Sequence, residues 1–171
     1  GLTLRIVKSP VKDKLETLYK LLGELKGDSA LVFCNQRESV ERVSNYLTEM
    51  GVDNEYFHGG MEQPERERAL SLFRNGSASV FISTDLASRG LDIPEVKNVI
   101  HYHLPINEEA FIHRNGRTAR MNAEGNAFMI LNEIETVPEY ITREPDEFFL
   151  PEKAKKPLRS EWVTLTINRG K

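Results

Sequence analysis

Short apolar runs separated by stretches of helical periodicity constrain this 171-residue chain more than any other feature. Positions 11–26 place Leu15, Leu18, Leu22 and Leu25 on one helical face, and positions 36–50 do the same with Val40, Val43 and Leu47. PERERALSLFRNG reads as a third helix, with Pro64 suited to its first turn and Gly76 to its end. Between and after these helices lie SALVFC (29–34), NEYFHG (54–59), SVFIS (79–83), NVIHYH (98–103) and GNAFMIL (125–131), which read as strands. The first has no polar alternation, the mark of a strand buried on both faces of a parallel sheet. Helix alternating with strand predicts an α/β domain with a mainly parallel central sheet. The expected compact unit is 1–137. From Pro138 charge and proline accumulate, and 138–160 read as a linker. In 161–171, Val163, Leu165 and Ile167 alternate with Thr164 and Thr166, a half-buried strand with no partner strand in sequence. That segment is expected to open a truncated further domain. A start at Gly1 rather than methionine reads as a piece cut from a longer protein.

Open parallel sheets bind ligands at the carboxyl ends of their strands. The segments placed there are Asn35–Gln36, His58–Gly60, Thr84–Asp92 and HRNGRTAR (113–120). The last packs three arginines and a histidine into eight residues of a chain whose net charge is −3. A dominant basic surface is thereby excluded, and any nucleic-acid contact is a local patch. A solvated basic helix end is the plain alternative for such an octapeptide. Asn107 is placed to cap a helix that Glu108 and Glu109 favour electrostatically. Either that helix runs on and sets His113 and Arg117 on one face, or Gly116 ends it. The single cysteine, Cys34, allows no internal disulfide and fits a reducing, cytoplasmic setting. It reads as packing, as do His101 and His103, which lack a third ligand at metal-binding spacing. No apolar run reaches membrane-spanning length, and no membrane partner is expected.

Four of these segments carry a family resemblance. LVFCNQ (31–36), HGGMEQPERERALSLFRNG (58–76), STDLASRGLDIP (83–94) and HRNGRTAR resemble motif IV, the HG and QxxR elements, motif V and motif VI of DEAD-box RNA helicases of superfamily 2. The motifs stand in the family's order and spacing over about residues 3–132. The resemblance is to the second, C-terminal RecA-like domain, a three-layer α/β sandwich. Two positions depart from the pattern: Asn115 stands for a usual apolar residue and Ala119 for a usual glycine. EWVTLTINRGK (161–171) is similar to the start of the RNA-binding domain that follows the core in DbpA-type bacterial helicases.

The resemblance implies hydrolysis of ATP with Mg²⁺ at a cleft shared with an N-terminal RecA-like domain that holds the metal. This chain has no G-x-x-x-x-G-K-[ST] loop and no D-E-A-D run. Arg117 and Arg120 match the arginine fingers, with His113 beside them as a catalytic-site residue, and His113 and Arg114 couple the site to the partner domain. Asp92 matches the ribose contact, with Gly90 in the same nucleotide-binding loop; a turn or cap aspartate before Pro94 is the plain alternative. Asn35, Gln63, Arg66, Thr84, Arg89 and Gly90 match the RNA-backbone contacts, and Asn35 reads equally as no more than the end of its strand. Arg68 and Arg74 read as solvated helix-face charges and Phe73 as core. The implied whole is an ATP-dependent RNA helicase that remodels structured ribosomal RNA through a further C-terminal RNA-binding domain, in ribosome assembly. The fragment alone is expected to be inactive. Two alternatives stay open: a non-catalytic RNA-binding or interaction module of RecA-like shape, and a DNA-directed motor of the same superfamily.

Overall fold

The computed structural model describes residues 1–120 and 123–155. In chain order the elements are β1 (Leu2–Lys8), α1 (Leu15–Glu24), β2 (Ala30–Cys34), α2 (Arg37–Glu49), β3 (Asn54–Phe57) and α3 (Gln63–Arg74). They continue with β4 (Val80–Thr84), α4 (Asp85–Arg89), β5 (Asn98–His101), α5 (Glu108–Asn115), β6 (Gly125–Leu131) and β7 (Asp146–Glu147). The strands form one sheet in the order β3-β4-β2-β5-β6-β1-β7, and every pairing is parallel. All carboxyl ends therefore share one edge, and the returning helices must lie on the faces.

Residue alternation along the central strands splits the core in two. Val32, Ile82 and Ile100 meet Leu18, Leu22, Val40, Val43 and Leu47 of α1 and α2. Leu31, Phe33, Phe81 and Val99 point the other way, onto Leu70 and Phe73 of α3. The result is the expected three-layer α/β sandwich. Strand β2 is buried along its whole length, as its unbroken apolar run predicts. α3 starts with proline in its first turn and closes at Gly76, where φ is +81°.

Three elements were not anticipated. Sequence reasoning passed over β1 although Leu2, Leu4 and Ile6 alternate along it, and Val7 is the one residue of the strand that is fully buried. β7 has two residues and α4 five, too few for any periodicity to show. The stretch expected as a linker also behaves differently over the residues described. Tyr140 Oη donates to the Pro105 carbonyl at 2.8 Å. β7 pairs with β1, and Phe148 packs edge-on against Phe128 in the core. The chain then crosses α1 so closely that a Cβ on Gly23 would lie 2.3 Å from the Lys155 carbonyl oxygen. Residues 138–155 thus cover the outer edge of the sheet and do not leave it, because Phe148 and Leu150 supply the apolar anchors that a charge-rich reading overlooks. The expected further domain at 161–171, and the end of the expected linker from 156, lie outside the described residues.

Candidate functional site

HRNGRTAR begins on α5 and ends in a tight turn. Asn107 caps the helix, its Oδ1 accepting from the Ala110 amide at 2.8 Å, and Glu108 and Glu109 occupy the first turn. The helix ends at Asn115. Gly116 keeps a helical φ of −64°, so it uses none of glycine's left-handed freedom. The Arg117 and Thr118 amides donate to the carbonyls of Arg114 and Asn115, tightening the last turn. The reversal falls on Ala119, whose φ is +56°. This explains why glycine suits the position: a Cβ in the left-handed region costs about 1 kcal/mol. Thr118 Oγ1 donates to the Val96 carbonyl, and the Val96 amide donates to the Arg117 carbonyl at 3.0 Å. Strand β6 starts directly against this turn. A Cβ on Gly125 would lie 2.3 Å from Thr118 Oγ1 and 2.6 Å from the Ala119 nitrogen. Ala119→Gly should therefore raise unfolding stability by about 0.5–1 kcal/mol. Gly125→Ala should lower it and displace the turn. Urea denaturation of the two variants checks this, and a destabilised Ala119→Gly would contradict the strain argument.

Arg114 departs from its expected role. It is one of the largest fully buried side chains, and its donors are spent inside the domain. Nε and Nη2 grip the two Asp85 carboxylate oxygens at 2.7 and 2.8 Å. Nη2 also reaches Asn35 Oδ1 at 2.6 Å, and Nη1 reaches the His103 carbonyl at 2.7 Å. The guanidinium lies 5.1 Å from the Phe33 ring centre. Arg114 therefore ties α5 to α4 and β2 and leaves no free donor face for a partner domain. Asn35 is engaged likewise. Its oxygen takes Arg114, its Nδ2 donates to the Leu104 carbonyl at 3.1 Å, and its backbone amide donates to His103 Nδ1 at 2.9 Å. Both ends of the amide expected to meet RNA carry an internal bond, while the residue itself stays exposed.

Beneath this knot, Asn115 meets His101. His101 Nε2 donates to Asn115 Oδ1 at 2.8 Å, and Arg114 Nη1 faces the other ring nitrogen at 3.4 Å. The arginine on one side and the amide oxygen on the other require a neutral imidazole protonated at Nε2. Burial first, and then the charge of Arg114, push the His101 pKa down to about 3. His103, pushed down to about 4 by burial and by Lys14 and Arg114, accepts at Nδ1. The unfolded chain takes up these protons near pH 6.5 and the folded chain does not, so stability is complete above that value and falls as pH is lowered through it. For His101 the slope approaches about 1.4 kcal/mol per pH unit below pH 6. The urea midpoint should fall between pH 7 and 5, and His101→Gln should flatten that fall. An equal acid response in the variant would contradict the assignment.

Above the buried layer opens a concave cleft of about 430 Å³, lined by Phe33, Asp85, Ser88, Arg89 and residues of α5 and its turn. His113, Arg117 and Arg120 stand in its wall. Arg117 Nη2 donates to the Ser88 carbonyl at 2.8 Å and Nη1 reaches the Leu91 carbonyl at 3.5 Å. Partial burial and then the neighbouring Arg120 charge pull its pKa down, while Asp92 pulls it up. Arg120 Nε donates to the Gly116 carbonyl at 2.7 Å, and its backbone amide donates to Glu95 at 2.8 Å. Among the described residues, neither guanidinium is paired with a carboxylate. Two adjacent cations so held are matched to an incoming anion.

Asp92 is fully exposed, close by on the loop after α4. Arg74, expected as a solvated charge, bonds this loop: its Nη2 donates to the Asp92 carbonyl at 2.7 Å and lies 3.6 Å from Oδ2. Gly90 has a φ of −93° and open space where a Cβ would stand, so the fold does not demand a glycine there. Arg89 is exposed on the cleft wall.

The remaining predicted contacts lie elsewhere on the carboxyl edge. Gln63 opens α3 and donates to Glu67 at 3.1 Å. Arg66 stacks 4.3 Å over Phe57, with a buried Nε that has no bonded partner. Thr84 caps α4, accepting from the Ala87 amide at 3.2 Å. None of the three lines the cleft with Arg117. Sequence reasoning missed Asp85, the anchor of Arg114; its position directly after Thr84 in STD was the only available signal. It also missed the pairing of His101 with Asn115, for which nothing in the sequence spoke. Among the described residues, no group of three or more His, Cys, Asp or Glu is placed to hold a metal, and no helix is long and apolar enough to cross a membrane.

Fold and cleft together define a RecA-like domain that presents unpaired arginines, and an exposed carboxylate, at one side of a parallel sheet. Residues 13–122 match the helicase conserved C-terminal domain, and the chain belongs to that family. It is 42% identical over 106 residues to DEAD-box ATP-dependent RNA helicase 35A of Oryza sativa subsp. japonica, covering 62% of this chain and 17% of that protein. It is 37% identical over 131 residues to ATP-dependent rRNA helicase RRP3 of Kluyveromyces lactis, covering 77% of this chain and 26% of that protein. The chain thus spans about a quarter or less of these two relatives. Among solved structures, the Escherichia coli DEAD-box protein SrmB bound to RraA superposes with a TM-score of 0.77 at 28% identity, covering 92% of this chain and 99% of that one. Saccharomyces cerevisiae Dbp5 bound to RNA and ADP BeF3 gives a TM-score of 0.68 at 28% identity, covering 77% and 36%.

Proposed function

We propose that this chain is the second RecA-like half of a DEAD-box ATP-dependent RNA helicase and supplies the arginine fingers of its ATPase site. The observation that carries this reading is the pair Arg117 and Arg120, unpaired with acid among the described residues, beside the exposed Asp92. An RNA-binding module needs neither a doubled arginine nor a solvent-facing carboxylate in the same cleft. In this reading Arg117 and Arg120 contact the phosphate end of ATP, His113 stands with them, and Asp92, next to Gly90, accepts from the ribose. Guanidinium suits the task because it stays charged and offers parallel donors to phosphate oxygens. The phosphate cradle and the acids for Mg²⁺ belong to an N-terminal RecA-like domain. Gln63, Arg66, Thr84, Arg89 and Gly90 hold the RNA backbone. This grip is sequence-tolerant, since phosphate and sugar carry no sequence information. The open space at Gly90, which permits close approach of a backbone, supports it.

The finer assignment is a DbpA-type protein of the cytoplasm, with a C-terminal RNA-binding domain that addresses structured ribosomal RNA in ribosome assembly. It rests on the likeness of 161–171 and on RTAR (117–120), which suits the same subgroup, and one relative is itself named an rRNA helicase. The test is RNA-stimulated ATP turnover by this chain joined to its partner domain. The isolated chain should show none. In the joined protein, Arg66→Ala and Arg89→Ala should each weaken RNA binding and reduce the salt slope by about one unit. Turnover by the isolated chain, or an unchanged salt titration in both variants, contradicts the reading. Full-length protein and a form cut after about Leu158, compared on ribosomal and unrelated RNA, address the tail. Equal preference in both removes the DbpA-type assignment.

A further inference from the structure

α3 carries Gln63 and Arg66 in its first turn and Arg74 as its last residue. Its buried side, Ala69, Leu70 and Phe73, packs in one cluster with Ala87 and Ile93, and Leu91 packs on the same cluster. The helix is therefore seated directly under the loop that ends at Asp92. At its far end the Arg74 guanidinium bonds the Asp92 carbonyl at 2.7 Å and faces its carboxylate at 3.6 Å. A helix of this length moves as a rod, with backbone bonds along its whole span. One element thus joins the RNA-facing end of the domain to the loop that offers a carboxylate to nucleotide.

We propose that Arg74 is a positioning residue which fixes the Asp92 loop to α3, so that RNA held at Gln63 and Arg66 and nucleotide held at Asp92 bear on one rigid helix. This rests on the functional reading above. Its consequence is a coupling: RNA bound at the start of α3 restrains the helix and, through the Arg74 bond, the loop at its end, so nucleotide binding tightens. By linkage, nucleotide tightens RNA by the same factor. The bond to the backbone carbonyl matters more than the exposed ion pair, since charges at that exposure are screened.

The experiment uses the full-length protein and a non-hydrolysable ATP analogue. The analogue's affinity is measured with and without saturating single-stranded RNA, and RNA affinity is measured without nucleotide. Arg74→Met keeps the aliphatic stem and removes the donors; Arg74→Lys keeps the charge. The coupling factor should fall roughly 5-fold in Arg74→Met, the lower end of typical coupling strengths. Its nucleotide-free RNA affinity should stay within about twofold of wild type, and Arg74→Lys should recover part of the loss. An unchanged coupling factor in Arg74→Met overturns the proposal. So does a matching loss of nucleotide-free RNA affinity, which would mean that Arg74 only stabilises α3. A wild-type protein in which RNA does not alter nucleotide affinity also overturns the proposal, whereas loss of RNA-stimulated ATP turnover would remove the helicase reading itself.

Discussion

Arg117→Ala, in a protein that joins this chain to its partner domain, should lower ATP turnover by about 10³–10⁵-fold, the range for loss of an arginine finger. That is about 4–7 kcal/mol of transition-state stabilisation. The size follows from how Arg117 is held. Its Nη2 is anchored on the Ser88 carbonyl, so the guanidinium is positioned before any anion arrives. Burial pulls its pKa down, yet a guanidinium keeps its charge in proteins, so the site retains a partly desolvated cation. Arg120→Ala should act in the same direction. RNA affinity measured without nucleotide should change little, since Arg89 is the one assigned RNA contact that lines the cleft with Arg117, and Gln63, Arg66 and Thr84 do not line it. Arg117→Lys should not restore turnover, because one ammonium cannot reproduce the planar fork. Single-turnover hydrolysis with bound RNA is the measurement. Near-normal rates for both alanine variants would remove Arg117 and Arg120 from the catalytic assignment.

Arg114→Met should destabilise the fold by about 3–5 kcal/mol, the usual cost of removing one partner of a buried ion pair. The Arg114 side chain is 1% exposed and the Asp85 side chain 27%, so the abandoned carboxylate keeps only limited access to water. The His103 carbonyl and Asn35 Oδ1 lose donors as well. Asp85→Leu alone should cost at least as much, because it strands a guanidinium inside the domain. The double variant should be more stable than the sum of the two losses predicts, since no charge is left unpaired. Urea unfolding of the four proteins completes the cycle. Strictly additive losses would show that the pair does not act as a unit. The turnover lost on Arg114→Met should exceed what its unfolded fraction explains, because the pair sets α5 against α4 and so aims Arg117.

The two results separate residues that one motif had grouped. HRNGRTAR reads as a uniform basic cluster, yet Arg114 points inward and Arg117 and Arg120 face the cleft. Periodicity cannot make that division. Arg114 and Arg117 are both arginines on adjacent turns, and the inward one is chosen by acceptors that arrive from β2 and α4. Asn115 shows the same limit. In the sequence it stands out only as a departure from an apolar position, and only the fold brings His101 beneath it.

What the sequence by itself determined was the architecture. Apolar runs such as ALVFC, alternating with amphipathic stretches, admit a parallel sheet covered on both faces and little else, because a strand without a polar side must be buried twice. The caps at Asn107, Pro64 and Gly76 were legible for the same reason: each satisfies a local backbone need that depends on nothing distant. The tertiary structure decided the rest. It turned 138–155 from a linker into a cover through two aromatic and aliphatic anchors, whose burial depends on a β1 edge far away in sequence. It spent Arg114 inside the domain, bonded Asn35 to Arg114 and to the Leu104 carbonyl, joined Arg74 to Asp92, and put left-handed strain on Ala119. Each of these turns on which acceptor or void stands opposite a side chain across the fold. That is a property of long-range pairing, and no window of neighbouring residues contains it.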